Sequence, residues 1–378
     1  MSLAAGEAGS LWHALSLVPD NRRAEGKRYP LASLLLIAVA AFLSGRRDQL
    51  GIVRWGRRLT REALASIGIS RARVPAPSVW CELFKGLDVS ALERVLGTWV
   101  RGEQAAGHVA IDGKRLRGSA TAQSAGVHLL AAFSASLQGV IGQLAVAPDC
   151  NEITGALQLL KTLPLDGVII TGDAIFTQRE ICRVIIKGGG DYFFTVKDNQ
   201  PTLKSDIALA FGRFPPSAAW TPPPDLRCTE TIEKGHGRIE TRQMEVTASL
   251  AEHLAPSWAG LAQVCRLTRE RIVRGKTSIE TVYAITSLTA DEAGPERLLQ
   301  LSRDHWGIEN KLHYVRDVSC REDQSRTNAG HAPQVLAAVR NTALALLRRL
   351  GFKPVEGFEH FAEYRQAAID VVFGKRTE

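Results

Sequence analysis

No two cysteines stand in a CxxC spacing in this chain; the six present (Cys81, Cys150, Cys182, Cys228, Cys265 and Cys320) are scattered. A zinc knuckle and a disulfide framework are both excluded, and a reducing cytoplasm is the compartment that fits. HExxH is also missing. The longest apolar run, Leu31–Leu43, falls short of the ~20 residues that a membrane span needs. It follows a charged stretch instead of opening the chain, so neither export nor a membrane partner is expected. Internal repeats and long low-complexity tracts are absent too. What remains is 378 residues, 45% hydrophobic and 23% charged, enough for one large core or two modest ones.

Acidic residues are few where the basic ones gather. The chain holds 47 basic against 39 acidic residues, a net +8, which alone points only weakly to a polyanion. Between Asp20 and Arg73, however, only Asp20, Glu25, Asp48 and Glu62 oppose a dozen arginines and lysines, among them Arg28, Arg57, Arg71 and Arg73. That region reads as helical. Pro30 opens an apolar helix that Gly45 closes, a basic helix spans roughly 48–59, and Pro75-Ala76-Pro77-Ser78 turns into another. Its arginines make either a solvated face on a bundle or a DNA-binding module.

From His108 the pattern changes to strands. Val109-Ala110-Ile111 runs into Asp112, and apolar stretches follow at 127–137 and 140–147. A helix over 153–163, a strand at 167–172 ending at Asp173, a helix over 177–187 and a strand at 192–196 come next. That order is α/β with a mixed sheet. Prolines at 215–216 and 222–224 interrupt it, and a β-rich insertion is expected over about 203–280, before a buried strand returns at Tyr283–Leu288. Within the insertion Trp220 and Trp258 read first as core and second as platforms for an unpaired base.

Asp112 and Asp173 each end a short apolar strand. One such aspartate is commonly turn chemistry. Two on strands that should lie side by side are a stronger signal, because a carboxylate at the edge of a buried sheet is costly without a partner. A third acid, Glu309, sits in His305-Trp306-Gly307-Ile308-Glu309-Asn310-Lys311-Leu312-His313, a run that reads as α-helix from Leu301, Ile308, Leu312 and Val315. Clustered acids without cysteine favour Mg²⁺ or Mn²⁺ over zinc. His305 and His313 could not share one small ion on such a helix, since eight residues rise roughly 12 Å. Two ions, with Lys114, Arg115 and Arg117 beside Asp112 for a phosphate backbone, would suit phosphodiester chemistry.

In this order, the blocks Ala110-Ile111-Asp112-Gly113-Lys114, Arg117-Gly118-Ser119, Asn151-Glu152-Ile153 and Gly172-Asp173-Ala174 resemble those of the ISAs-type (H-repeat-associated) insertion-sequence transposases. The resemblance continues through Lys197, Asn199-Gln200-Pro201, His236 to Glu240, Ile285 to Leu288, the Glu309 run, and Glu322-Asp323. It covers nearly the whole chain, with Tyr29-Pro30-Leu31 resembling the helical domain that accompanies this branch of the DDE transposases.

The resemblance implies an RNase H-like core over 105–350 with the β-rich insertion, after a helical DNA-binding or associated domain at 1–104 and before a C-terminal tail at 351–378. It makes Asp112, Asp173 and Glu309 the catalytic triad and metal ligands. Lys114, Arg115, Arg117, Lys197, His305, Lys311 and Arg316 are put forward as DNA contacts. Ser302, His305 and Arg316 stand where the wider superfamily carries Tyr, Arg and Lys. The implied partners are double-stranded DNA, as terminal inverted repeats and target, and further copies of the chain in a dimer or larger assembly on it. The implied setting is the bacterial cytoplasm, at the nucleoid. The implied reaction is cleavage at element ends, then joining of the 3′-hydroxyl to target DNA. A catalytically silent DNA-binding remnant or domesticated regulator is the alternative.

Overall fold

The computed structural model describes residues 9–102, 104, 107–212, 221–235 and 237–375. Trp220 and His236 lie outside them. The chain forms two compact units: one of residues 1–106, 113–150 and 308–378, the other of 107–112 and 151–307. Nine strands are described: β1 (His108–Arg115), β2 (His128–Ser134), β3 (Gly139–Val146), β4 (Ile169–Gly172), β5 (Asp191–Val196), β6 (Arg227–Gly235), β7 (Arg238–Thr247), β8 (Gln263–Val273) and β9 (Lys276–Thr286). β1 passes from the second unit into the first after Asp112.

The first unit is built on the helix Leu31–Leu43, with Pro30 at its N-cap and Gly45 just beyond it at φ +71°. Twelve of its thirteen residues are buried; a helix apolar all round must be surrounded. The helix Ala332–Arg349, buried up to Leu347, lies against it. So do Pro354–Glu363 and Arg365–Val372, and Phe361, Ile369 and Val372 belong to the same core as Leu34, Trp55 and Trp80. Residues 351–375 are therefore not the expected tail. Their apolar face is part of the core. The hairpin of β2 and β3, next to the end of β1, is covered by the helix Val89–Arg101. Gly97 allows that approach, because a Cβ there would run into the Ile141 carbonyl oxygen.

The second unit is a mixed sheet in the order β1-β4-β5-β9-β8-β7-β6. β1, β4 and β5 are parallel, and from β5 outward every pairing is antiparallel. The expected insertion is real as strands, but it extends this sheet. Its last strand and the buried strand expected at Tyr283 are one: β9 starts exposed at Lys276 and ends buried at Thr286. The helix Pro295–His305 packs Leu298, Leu299 and Leu301 against Phe193, Met244 and Cys265. At about 1.5–3 kcal/mol for each large apolar side chain buried, that anchors the helix and leaves its His305 end poised over β4.

The mixed α/β architecture and the helical N-terminal region are thus as the sequence reads. The Glu309 segment is helical as read, but of a different helix type. The α-helix stops at His305, and Glu309–His313 and Val315–Ser319 are π-helical turns. Such turns insert extra residues into a helix and are frequent at functional sites.

Candidate active site

In the second unit β1 and β4 run parallel with Ile111 opposite Gly172. The next residues are Asp112 on β1 and Asp173 just past β4, so the pairing brings both aspartates to one end of these neighbouring strands. Gly172 keeps the approach close: a Cβ there would sit 2.9 Å from the Phe176 ring and 3.2 Å from Ile111. Asp173 then caps the turn Ala174–Phe176 with its backbone extended. Two side chains of the Asn199-Gln200-Pro201 block brace that turn. Asn199 donates to the Ala174 carbonyl at 2.6 Å and Gln200 to the Thr177 carbonyl at 2.9 Å. Sequence reasoning assigned this block no role. An amide pair ahead of a helix-opening proline was the available signal.

The Asp173 carboxylate is 57% exposed, with His305 Nε2 3.8 Å from Oδ1. That distance is too long for a hydrogen bond. The His305 ring, more than Lys197, holds the Asp173 carboxyl below the usual carboxylate range against the opposing effect of burial. Behind it, His305 Nδ1 lies 3.2 Å from Thr171 Oγ1, and Thr171 Oγ1 lies 2.8 Å from His108 Nε2. Burial pushes His108 down to about 4, so it is neutral near pH 7. A hydroxyl has one proton to give. If His305 presents N–H from Nε2 to the carboxylate, its neutral Nδ1 must accept from Thr171, which then accepts from His108. The three side chains thereby fix which edge of the imidazole faces Asp173. A cavity of about 80 Å³ opens here, lined by Asp173, Lys197, Arg269, Ser302, His305 and the half-exposed Trp306. Trp258 is buried beneath Arg179, 5.7 Å from its ring, as a core residue.

Glu309 belongs to the first unit. Its Oε2 accepts from Nδ1 of the buried His313 at 3.0 Å, one π-helical turn on. That hydrogen bond, with the nearby Lys114 charge in support, keeps its carboxyl below the ordinary value despite partial burial. Lys114 itself is held by both Asp317 oxygens at 2.6 Å. Arg115, Arg117 and Lys311 are exposed, as is Lys197 in the second unit, and a free cationic face is what a phosphate contact requires. Arg316 has no such face. It is fully buried, with Nε and Nη2 donating to Glu322 at 2.8 and 3.0 Å, and Arg340 shares the same carboxylate. The expected phosphate contact at Arg316 is therefore corrected to a core ion pair. Burial would raise the Glu322 carboxyl, yet Arg316 and Arg340 outweigh it and bring it to about 2. Gly118 lets the Arg117-Gly118-Ser119 and Glu322-Asp323 segments pack closely. A Cβ there would lie 2.7 Å from the Asp323 carbonyl oxygen.

The chain matches known proteins over most of its length. The family described as transposase DDE domain matches residues 103–346, and the one described as DDE_Tnp_1-associated matches 12–100. The chain belongs to the DDE transposase domain family. The "H repeat-associated putative transposase YhhI" of Escherichia coli K12 is 28% identical over 90% of this chain and 91% of its own length. A protein encoded in the dhlA 3′ region of Xanthobacter autotrophicus is 34% identical over 77% of this chain and all of its own. A cryo-EM structure of the piggyBac transposase synaptic complex with hairpin DNA aligns with 98% of this chain and 82% of its own, at 10% identity and a TM-score of 0.46. Among the described residues no helix is long and apolar enough to cross a membrane.

Proposed function

We propose that this protein is a transposase that hydrolyses DNA strands at the terminal inverted repeats of its element and joins the freed ends to target DNA. Asp112, Asp173 and Glu309 are its catalytic carboxylates. The observation that carries this reading is the parallel register of β1 and β4, which delivers two aspartates to one sheet end. Family membership supports it, and so do the lowered pKa values of Asp173 and Glu309. Carboxylates with no thiolate among them are the donor set that a hard dication such as Mg²⁺ or Mn²⁺ prefers. Two such ions, when bound by the three acids, would polarise the attacking oxygen and stabilise the leaving one.

The remaining work falls to the chain itself. Asp173 sits beside His305, and the exposed Lys197 near it offers charge to a phosphate. In the first step water attacks the phosphorus at the element's end and the 3′-oxygen leaves, protonated, as a hydroxyl. In the second that 3′-hydroxyl attacks a target phosphate, forming one phosphodiester and releasing the target's own 3′-hydroxyl. No enzyme-linked intermediate is required. A homodimer or larger assembly would pair the two ends.

The test is a plasmid excision assay with Mg²⁺ and the element's own termini. Asp112→Asn, Asp173→Asn and Glu309→Gln should each lower strand cleavage on the order of 10²–10³-fold or more, with DNA binding retained. Cleavage at the wild-type rate in any of them removes that residue from the site. Binding without cleavage by the unaltered protein would favour the silent regulator.

A further inference from the structure

Four arginines of the first unit converge on one cavity. Arg28, Arg57, Arg71 and Arg73 are exposed and line a cleft of about 740 Å³ with Tyr29, and among the described residues lining it none is acidic. They arrive from separate stretches: the turn before the central helix, the end of Gln49–Gly56, and the segment leading into Pro77–Gly86. Four guanidiniums around one cleft make a positive potential that favours an anionic occupant.

Two further features point the same way. The helix Pro77–Gly86 begins at the cleft, and its N-cap, Ala76, has no side-chain acceptor for the first amides. The positive end of a ten-residue helix is thus left open to a negative ligand. Arg71 stacks over the Tyr29 ring, 5.8 Å from its centroid, which fixes a guanidinium that would otherwise be free to swing. The volume is larger than a lone phosphate needs. At ~30 Å³ per water, the cleft holds roughly two dozen, the room of a stretch of polymer.

We propose that this cleft seats the sugar–phosphate backbone of duplex DNA, reading charge and not sequence, through residues other than those proposed for strand cleavage. The inference rests on the reading that the protein works on DNA. Duplex DNA carries one negative charge per ≈ 1.7 Å of axis, so several phosphates can meet several guanidiniums at once.

The full chain carrying Asp173→Asn serves as the background, so that binding is read without cleavage. Anisotropy of a labelled duplex is followed over a salt series, with one duplex from the element's end and one unrelated. The triple variant Arg57→Ala, Arg71→Ala, Arg73→Ala should weaken both duplexes alike. It should also flatten the slope of log K against log salt by up to about 2.7, at about 0.9 for each phosphate no longer neutralised. Lysine at the same three positions should keep the slope within about 0.9 of the starting protein's. If the triple variant melts early, Arg71→Ala and Arg73→Ala singly must each flatten it by about 0.9. An unchanged slope and affinity in a folded variant overturn the proposal, as does a loss seen with single-stranded RNA alone. A protein that binds through this cleft yet never cuts would sink the transposase reading and leave this one standing.

Discussion

Thr171 shows how much of a site can hang on a single hydroxyl. It is buried in β4, two residues before Asp173, and its Oγ1 joins His108 to His305. Thr171→Val keeps the β-branched shape and removes both hydrogen bonds, leaving His305 free to turn its other edge toward Asp173. The expected result is a 10–100-fold loss in cleavage rate, the usual scale for a group that orients a site residue, with DNA affinity unchanged. Thr171→Ser should restore most of the rate, and the Mg²⁺ concentration for half-maximal cleavage should rise in the valine variant alone. Equal effects of Val and Ser would show that only packing is at stake. Residues of this kind were half legible. Asp112 and Asp173 stood out because an acid closing an apolar run is conspicuous, whereas a threonine within such a run looks like ordinary strand. Arg316 misled for a geometric reason. In an α-helix it would lie seven residues, nearly two full turns, past Glu309 on the same face. The π-helical turns from Glu309 to Ser319 shift that phase by about 100° for each extra residue, and Arg316 points into the core.

Helix and strand boundaries were readable where local chemistry sets them. Pro30 and Asp48 sit at helix starts as read, Asp48 accepting from the Gly51 backbone amide. What elements pack against is a different matter. The helix Val89–Arg101 turns Glu93 as well as Gly97 toward its neighbours, and no pattern marks a charged residue for burial. Gln143 of β3 donates to Glu93 at 2.7 Å, and Asn341 donates to Gln143 at 2.9 Å. Burial raises the Glu93 carboxyl to about 8, so the folded protein keeps a proton that the unfolded chain sheds near 4.5. This contribution to stability is whole below about pH 4.5, falls as pH rises toward 8, and is gone above it. Glu93→Gln cannot lose that proton. It should flatten the decline and make the variant more stable than the parent at pH 9, by on the order of a few kcal/mol. Urea unfolding at pH 5, 7 and 9 reads this directly. A variant less stable than the parent at pH 9 would mean that the carboxylate is paired there.

At the scale of the whole molecule, the order of the chain hides how its units are made. The first unit takes three separate stretches and the second takes two, so no linker separates them and none could be read from composition. The sequence pattern placed the helical region, the mixed sheet and the insertion. It could not show that residues after 350 return to the helical region, because amphipathic helices near a terminus look alike whether docked or free. Phe361, Ile369 and Val372 lie with the central helix in one core, each 1% exposed or less. Removing three such side chains forfeits about 1.5–3 kcal/mol apiece, before counting the surface of Leu31–Leu43 laid bare. Against a total stability of about 5–15 kcal/mol, that is enough to unfold the unit. A chain ending at residue 350 should therefore lose its cooperative thermal transition and become protease-sensitive across 31–100. It should also lose affinity for duplex DNA, since the arginine cleft is built on the same helices. If the shortened protein melts within a few degrees of the full chain, the terminal helices are accessories and the core closes without them.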